Sequence, residues 1–537
     1  MSAAGASLAP AFDSSFDLIV VGAGINGAAI AREAALSGLK VLLLDRGDIA
    51  VGTSSASSRL IHGGLRYLEH AEISLVRESL NERERLLRGA PHLVAPLELY
   101  IPVYRGARRK RWQISVGLTL YDWLSADRSL PGHTLLSRAA LLGRMPGLNP
   151  NGLVGGASYY DAQARYPERL VVENVRDAVA NGATLKTYTR ATRICVEAGR
   201  VTGVEWRTAQ GATGIAVARL VVNAAGPWVD DVLGAIKHTR LIGGTKGSHL
   251  IAPRFPGAPR AGVYVEAGSD ARPLFILPWN DLLLVGTTDE RFDGDAGAAA
   301  IDDGEFAYLV AETERVFPAA AGLAQRVLYT HTGVRPLPYQ PRGAAGSITR
   351  RHLIRRHRAA RGLYSVVGGK LTTHRALAED VLDVLRRDLP RVSRLHPTRE
   401  RPLPGALDAR DRDQLLAEIG ATLGAAQAAR LWSVYGGAAA AVFTLAKRRE
   451  LSPTLDASSA VLVAELVYAR ETEWAETLDD ILQRRCMAGL GEDFGLGAAR
   501  AACGWLARLG VWDETRAAQE LAAYRARAVR QRALGAR

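Results

Sequence analysis

Only three cysteines occur in the 537 residues, Cys195, Cys486 and Cys503. They are too scattered for a cysteine-based metal site or a disulfide framework. They suit a reducing compartment, as small buried apolar residues. No metal centre is expected. No apolar run reaches the ~18 residues that would span a bilayer. The Ser- and Ala-rich start, Met1 to Ser15, lacks the basic-then-apolar order of a signal peptide, so a disordered tail over 1–15 and a cytoplasmic location are expected. Neither an aromatic-interleaved basic module nor a helix-turn-helix pattern accompanies the positive charge, which argues against nucleic acid as a partner.

What is present is a chain that is 48% hydrophobic and 23% charged, with a net charge of +13. Such a chain can bury a large core and divides into two or three domains. Its charge favours anionic partners, either phosphorylated substrates or an acidic lipid surface.

The most informative stretch runs from Phe16 to Asp45: an apolar run, three glycines at Gly22, Gly24 and Gly27, a small-residue helix, a second apolar run (Val41 to Leu44), then Asp45. In a dinucleotide-binding βαβ unit the first glycine turns the chain off the strand, the second admits the pyrophosphate and the third packs helix on strand. The helix N-terminus then faces the phosphates. Asp45 follows Gly27 by 18 residues, the place of the acid that accepts a ribose hydroxyl. After it comes GDIAVGTSSASSRLIHGGLRYLE, a Gly- and Ser-dense loop expected to lie over the cofactor. Thr53, Ser54, Ser55 and Ser58 would donate hydrogen bonds there, and Gly63 and Gly64 would allow close backbone approach. Farther on, RLVVNAAGPW (Arg219 to Trp228) reads as a strand ending in small residues beside the dinucleotide. Between them, Arg169 to Thr187 reads as a helix leading to a strand, and RATRICVEAGRVTGVEWR reads as a hairpin turning near Gly199.

The string TSSASSRLIHGGLRYLEH, with GAGINGAAIA before it and ERERLL and APHL after it, resembles the FAD-dependent respiratory glycerol-3-phosphate dehydrogenases. The resemblance continues in the family's order through NAAGPWVDDVL (Asn223 to Leu233), KGSHLI (Lys246 to Ile251), PWNDLLLVGTTDE (Pro278 to Glu290), THTGVRPL (Thr330 to Leu337), SITR (Ser347 to Arg350) and GGKLTTHRALAED (Gly368 to Asp380). A looser match, ARETEWAETLDDILQRR, lies near the C-terminus. The family implies an α/β fold: a Rossmann-like FAD-binding domain over 16–90, 166–237 and 335–395, interleaved with a β-sheet substrate and membrane-facing domain over 91–165 and 238–334. The Ala- and Leu-rich remainder, 402–537, reads as an all-α domain.

The resemblance implies oxidation of sn-glycerol 3-phosphate to dihydroxyacetone phosphate, with electrons passing through FAD to membrane quinone. It also implies a peripheral place on the cytoplasmic face of the inner membrane, and it is compatible with a homodimer. Fingerprint and resemblance together put Gly22, Gly24, Ile25, Asn26, Gly27, Asp45 and Arg46 against the cofactor, with Thr53, Ser54, Ser55, Ser58, Gly63, Gly64 and Leu65 from the following loop. Ala225, Gly226, Gly369, Lys370, Leu371 and Thr372 complete that set. The substrate pocket implied by the family comprises Arg66, Tyr67, His249, Arg335, Arg350 and Lys370. Guanidinium forks match phosphate oxygens, which suits the arginines to this use. Alcohol oxidation also needs a base. His249 is the leading choice because a neutral imidazole can take a proton near pH 7, with Arg335 and Lys370 as rivals. Lys370 could instead neutralise charge on the reduced flavin, and a helix from about Leu371 could do so by its dipole. Competing readings are an FAD oxidase or dehydrogenase of a 2-hydroxy acid or amino acid, a glycerol-3-phosphate oxidase using oxygen, and a nonenzymatic FAD-binding sensor.

One tract bears on membrane contact. RGARRKRWQISVGLTLYDWLS (Arg105 to Ser125) joins cations to a short Trp-bearing apolar segment suited to an anionic inner-membrane surface, and RRHLIRRHRAAR (Arg350 to Arg361) adds further charge. The plainer alternatives are solvated loops or, for the first tract, a core helix.

Overall fold

The computed structural model describes residues 15–125, 129–389, 395–456 and 459–534. All but the last residue of the expected N-terminal tail lies outside them.

The chain opens with β1 (Phe16–Val21), α1 (Ile25–Leu36) and β2 (Val41–Leu44). β1 lies between β2 and the much later strand Thr213–Asn223, parallel to both. The sheet continues in parallel to Leu363–Val367 on one side and Thr184–Lys186 on the other, with Leu353–Arg356 as an antiparallel edge. Residues 18–21 and 41–44 are all buried, as expected of parallel strands covered on both faces. Helix α1 is almost wholly buried because its core side chains are mostly alanines, which let it pack closely among its neighbours. The hairpin Thr189–Glu197 and Arg200–Thr208 turns at Gly199, whose φ of +72° is the left-handed conformation that glycine adopts without strain. It feeds directly into Thr213–Asn223.

The second sheet has ten strands. Its centre is built by Val94–Tyr104, Gly262–Glu266, Pro273–Trp279, Leu282–Gly286 and Thr245–Pro253, flanked by Leu153–Ala164 and Tyr329–Arg335. Leu60–Ile61 also pairs into it, against Gln163 and Ala162, although it lies in the stretch assigned from sequence to the cofactor domain. The loop after β2 therefore crosses from one sheet to the other, and the space between the sheets is roofed by that crossing. From Ala409 onward the described residues form helices, among them Ala409–Leu423, Ala425–Tyr435, Val463–Glu471, Leu496–Arg508 and Glu514–Arg530.

Beside the second sheet, the tract from Arg105 becomes the helix Arg111–Leu124, which buries Leu118, Tyr121 and Leu124. Its outer face carries Trp112, Val116 and Trp123, which are 64%, 62% and 73% exposed. Neither a solvated loop nor a core helix describes it. The other cationic tract is divided by the fold: Leu353–Arg356 is the sheet edge, Arg350 turns inward, and Arg351, Arg355, Arg356, Arg358 and Arg361 stay exposed.

Candidate functional site

The two sheets enclose a cavity of about 980 Å³ at the C-terminal edge of β1. That edge, where the strand order departs from chain order, is where open α/β sheets bind ligands. Gly22 has φ +108°, and a Cβ there would stand 2.6 Å from the Ala224 carbonyl oxygen. At Gly27 a Cβ would fall 1.8 Å from the Gly22 oxygen, so this glycine serves helix–strand contact. Gly24 differs. A Cβ there meets nothing nearer than Ser54 Oγ at 3.4 Å, which leaves open space beside the N-terminus of α1. That cradle, with the helix dipole behind it, fits a pyrophosphate.

Around this cradle the side chains already hold one another in place. Ile25 N donates to Ser54 Oγ at 3.0 Å, and Asn26 Nδ2 donates to the Gly368 carbonyl at 3.2 Å, leaving Asn26 Oδ1 buried without a partner among the described residues. Asp45 accepts from Ala23 N (2.6 Å) and Gly47 N (2.9 Å), so it ties the glycine turn to the loop after β2; burial holds its carboxyl above the usual range. The Arg46 guanidinium stacks 4.0 Å from the Trp228 ring centroid, and Trp228 Nε1 is buried without a described partner. These orphaned polar atoms on a cavity wall are groups that a polar ligand would satisfy.

Of the expected cofactor set, Gly22, Gly24, Ile25, Asn26, Asp45, Arg46, Thr53, Ser54, Ser58, Gly64, Leu65, Ala225, Gly226, Gly369, Lys370, Leu371 and Thr372 line the cavity. Gly27, Ser55 and Gly63 do not. Ser55 Oγ donates to the Ala50 carbonyl at 2.6 Å and shapes its own turn. Gly63 is packed so tightly that a Cβ would lie 2.5 Å from the Tyr121 hydroxyl, to which its N–H donates at 2.8 Å. The helix expected from Leu371 begins at His374, after a turn.

All six expected substrate residues line the same cavity. At their centre is Asp289, which the sequence reading did not single out. It accepts from Arg335 Nη1 at 3.1 Å and Arg350 Nη2 at 2.8 Å; Arg335, Arg350 and Arg66 hold its carboxyl below the usual range against burial. Arg335 is fixed further by Thr287 Oγ1 (2.8 Å) and the Thr288 carbonyl (3.2 Å). Burial, with Arg350 and Arg66 nearby, lowers its pKa. Arg350 Nη1 is buried without a described partner. Three guanidiniums therefore act on one bridging carboxylate, an excess of positive charge suited to a dianion.

Lys370 Nζ donates to Ser79 Oγ at 2.7 Å and lies 4.6 Å from the Tyr67 ring centroid; burial lowers its pKa to about 7. His249 Nε2 bonds Ser58 Oγ at 2.8 Å, and its ring lies 4.7 Å from that of His331. Burial, His331 and Arg335 drive its pKa well below the ordinary imidazole value, so it is neutral at physiological pH. His62 also lines the cavity, with its pKa lowered to about 3 by burial and by Lys370 and Arg66. Sequence reasoning missed Asp289, Trp228 and His62 as individuals, although each lies inside a motif it quoted. Their role depends on which neighbour they meet across the fold.

Residues 17–383 match the family described as FAD dependent oxidoreductase, and residues 396–517 match the C-terminal domain of alpha-glycerophosphate oxidase. A glycerol-3-phosphate dehydrogenase of Synechocystis sp. is 41% identical, over 95% of this chain and 96% of its own length. A D-erythritol 1-phosphate dehydrogenase of Brucella abortus is 37% identical, over 87% of this chain and 93% of its own. The crystal structure of a glycerol-3-phosphate dehydrogenase from Bacillus halodurans, complexed with FAD, superposes with a TM-score of 0.77 at 28% identity and covers 95% of this chain and 93% of that one. With its open glycine cradle, its cation-lined cavity and these matches along nearly its whole length, the chain belongs to the family of FAD-dependent glycerol-3-phosphate dehydrogenases.

Proposed function

We propose that this protein oxidises sn-glycerol 3-phosphate to dihydroxyacetone phosphate. The observation that carries the reading is the arginine cluster around Asp289, in the same cavity as the dinucleotide cradle. Arg66, Arg335 and Arg350 bind the phosphate, and Asp289 keeps two of the guanidiniums aimed before substrate arrives, so little orientation entropy is lost on binding. FAD, held by the cradle at Gly24 with Ile25, Asn26 and Asp45, would supply the hydride acceptor for the alcohol carbon. Ser58 holds His249 through Nε2, and His249 accepts the hydroxyl proton at its other nitrogen, Nδ1, which has no hydrogen-bond partner among the described residues. Lys370 adds positive charge beside Tyr67 while it is protonated.

Electrons pass on to a membrane quinone in this reading. Its support is the exposed row Trp112, Val116 and Trp123, flanked by exposed Arg108, Lys110 and Arg111. Such a face suits an anionic interface, here the cytoplasmic side of the inner membrane. Arg109, expected to share that contact, does not serve it: it is bound to Glu69 at 2.8 Å and to Glu266. Among the described residues no helix is long and apolar enough to cross a membrane. In the same reading the FAD-binding domain takes 16–90, 166–237 and 335–395 and the substrate domain 91–165 and 238–334, with Leu60–Ile61 contributing to the second sheet.

An anaerobic bleach of the yellow protein tests the activity. Glycerol 3-phosphate should bleach it fast, and glycerol and lactate slowly. Faster bleaching by lactate would favour a 2-hydroxy acid dehydrogenase, and faster bleaching by D-erythritol 1-phosphate would favour the tetritol phosphate acted on by the Brucella relative. Stoichiometric peroxide in air would identify oxygen as acceptor.

A further inference from the structure

The C-terminal helices contribute none of the residues that line the cavity, yet one of their segments reaches the loop that follows β2. Asp48 lies in that loop, three residues beyond Asp45, and is fully buried. Its Oδ2 accepts from Arg484 Nε at 2.6 Å and Arg485 Nη1 at 3.0 Å, and its Oδ1 accepts from Arg485 Nη2 at 2.7 Å. Both arginines are themselves buried, and they come from more than 400 residues away in the chain. Neighbouring residues on an α-helix do not face one target. Here Asp480–Arg485 is wound as a π-type turn, a geometry that recurs at functional positions, and its adjacent arginines converge on one carboxylate.

The contact extends in both directions. Arg484 also binds Asp479 and Asp480, each at 2.6 Å, and Arg527 binds Asp479 at 2.8 Å, so three carboxylates meet three guanidiniums. Asp480 accepts the Tyr188 hydroxyl at 2.7 Å, while Tyr188 N donates to the Gly47 carbonyl and Thr189 N to that of Asp45. On the cavity side, Ala50 N donates to the Ala23 carbonyl, and Asp45 holds Ala23 N. A continuous set of buried and half-buried polar contacts thus runs from the C-terminal helices through the loop 45–50 to the glycine turn.

We propose that Asp48, gripped by Arg484 and Arg485, is a positioning residue for the cofactor: the C-terminal helical domain holds the loop 45–50 in the shape that binds the adenosine and pyrophosphate of FAD. The inference rests on reading Asp45 and the glycine turn as the grip on FAD. The domain is then a determinant of cofactor affinity and not only a stabilising appendage. Neutralising Asp48 would leave the buried Arg485 guanidinium without its carboxylate and Arg484 with Asp479 and Asp480 alone, so the pull that holds the loop would be lost.

The test compares Asp48→Asn, Arg485→Lys and the paired Asp48→Asn/Arg485→Gln with wild type, with Glu173→Gln as a control that breaks another buried pair, His92–Glu173 (2.7 Å), which makes no bond to Asp48, Arg484 or Arg485. FAD release from holoenzyme is followed by the rise in its fluorescence, and Tm is measured with and without added FAD. For the Asp48 and Arg485 variants, FAD release should be about 30-fold faster, and the rise in Tm given by FAD should shrink. Glu173→Gln should lower Tm with and without FAD alike and release FAD at the wild-type rate. Should Asp48→Asn not fold, Arg485→Lys, which keeps the charge and loses the fork, carries the comparison. Unchanged FAD release in folded Arg485→Lys and the paired variant, or a Tm increment from FAD equal to wild type, overturns the proposal. A wild-type protein whose Tm ignores FAD overturns the cofactor reading itself, and the proposal with it.

Discussion

Replacing Arg335 by alanine is the sharpest probe of the phosphate site. As a phosphate ligand, Arg335 would supply a charge-assisted hydrogen bond worth about 1.5–3 kcal/mol. Its loss has a second effect that only the structure shows. Asp289 is left with Arg350 as its one bonded guanidinium partner, so more of its negative charge faces the incoming dianion. Two unit charges about 6 Å apart interact by roughly 3 kcal/mol at an effective dielectric constant near 20, and rearrangement and water would recover part of this. The combined cost is about 4 kcal/mol, close to a 1000-fold loss of kcat/KM for glycerol 3-phosphate. Glycerol has no phosphate and should lose less than about 3-fold. Arg335→Lys keeps the charge beside Asp289 but not the fork, and should lose only ~10-fold. Arg335→Ala/Asp289→Asn removes the stranded carboxylate and should recover about 10-fold over the single variant. Anaerobic flavin bleaching by stopped flow, with both substrates over a concentration series, measures all four. Equal losses on glycerol and glycerol 3-phosphate would refute the phosphate assignment, and a double variant worse than the single would refute the role given to Asp289.

Gly24→Val should abolish FAD retention, since its side chain would fill the open space beside α1; the ratio of flavin to protein absorbance after purification checks this, and a fully yellow variant counts against the placement. His249→Asn should lower kcat by ~100-fold with little change in KM. Because the His249 pKa is well below the ordinary imidazole range, the acid limb of the wild-type kcat profile should lie below about pH 6.5, and an acid limb near 7 would point to Lys370 instead. Lys370 is charged below about 7 and loses its proton as pH rises through that value, so kcat/KM for glycerol 3-phosphate should fall on the alkaline side while glycerol shows no such limb. Lys370→Arg should remove the fall; a limb that persists assigns it to another group. Trp112→Ser/Trp123→Ser should weaken binding to anionic vesicles by about 10-fold or more while leaving dye-coupled turnover intact, and unchanged vesicle binding would exclude this face as the contact.

The cofactor fold was legible in the sequence because its signals are local. Strand, glycine turn, helix, strand and acid follow one another between Phe16 and Asp45, and each constrains backbone within a few residues of itself. The cations Arg66, Arg335, Arg350 and Lys370 were also legible, through motifs around each one. Tertiary structure alone decided what those groups meet. Asp289 joins Arg335 to Arg350 from a separate strand connection, Arg109 is drawn onto Glu69 and Glu266 and away from the surface cluster, and Gly63 turns under Tyr121 instead of toward the cavity. Asp48 finds its partners on helices at the opposite end of the chain. Backbone periodicity records which side of its own element a residue occupies. Charge pairing between residues hundreds of positions apart depends on how the elements pack, and that has no local signature for a single sequence to carry.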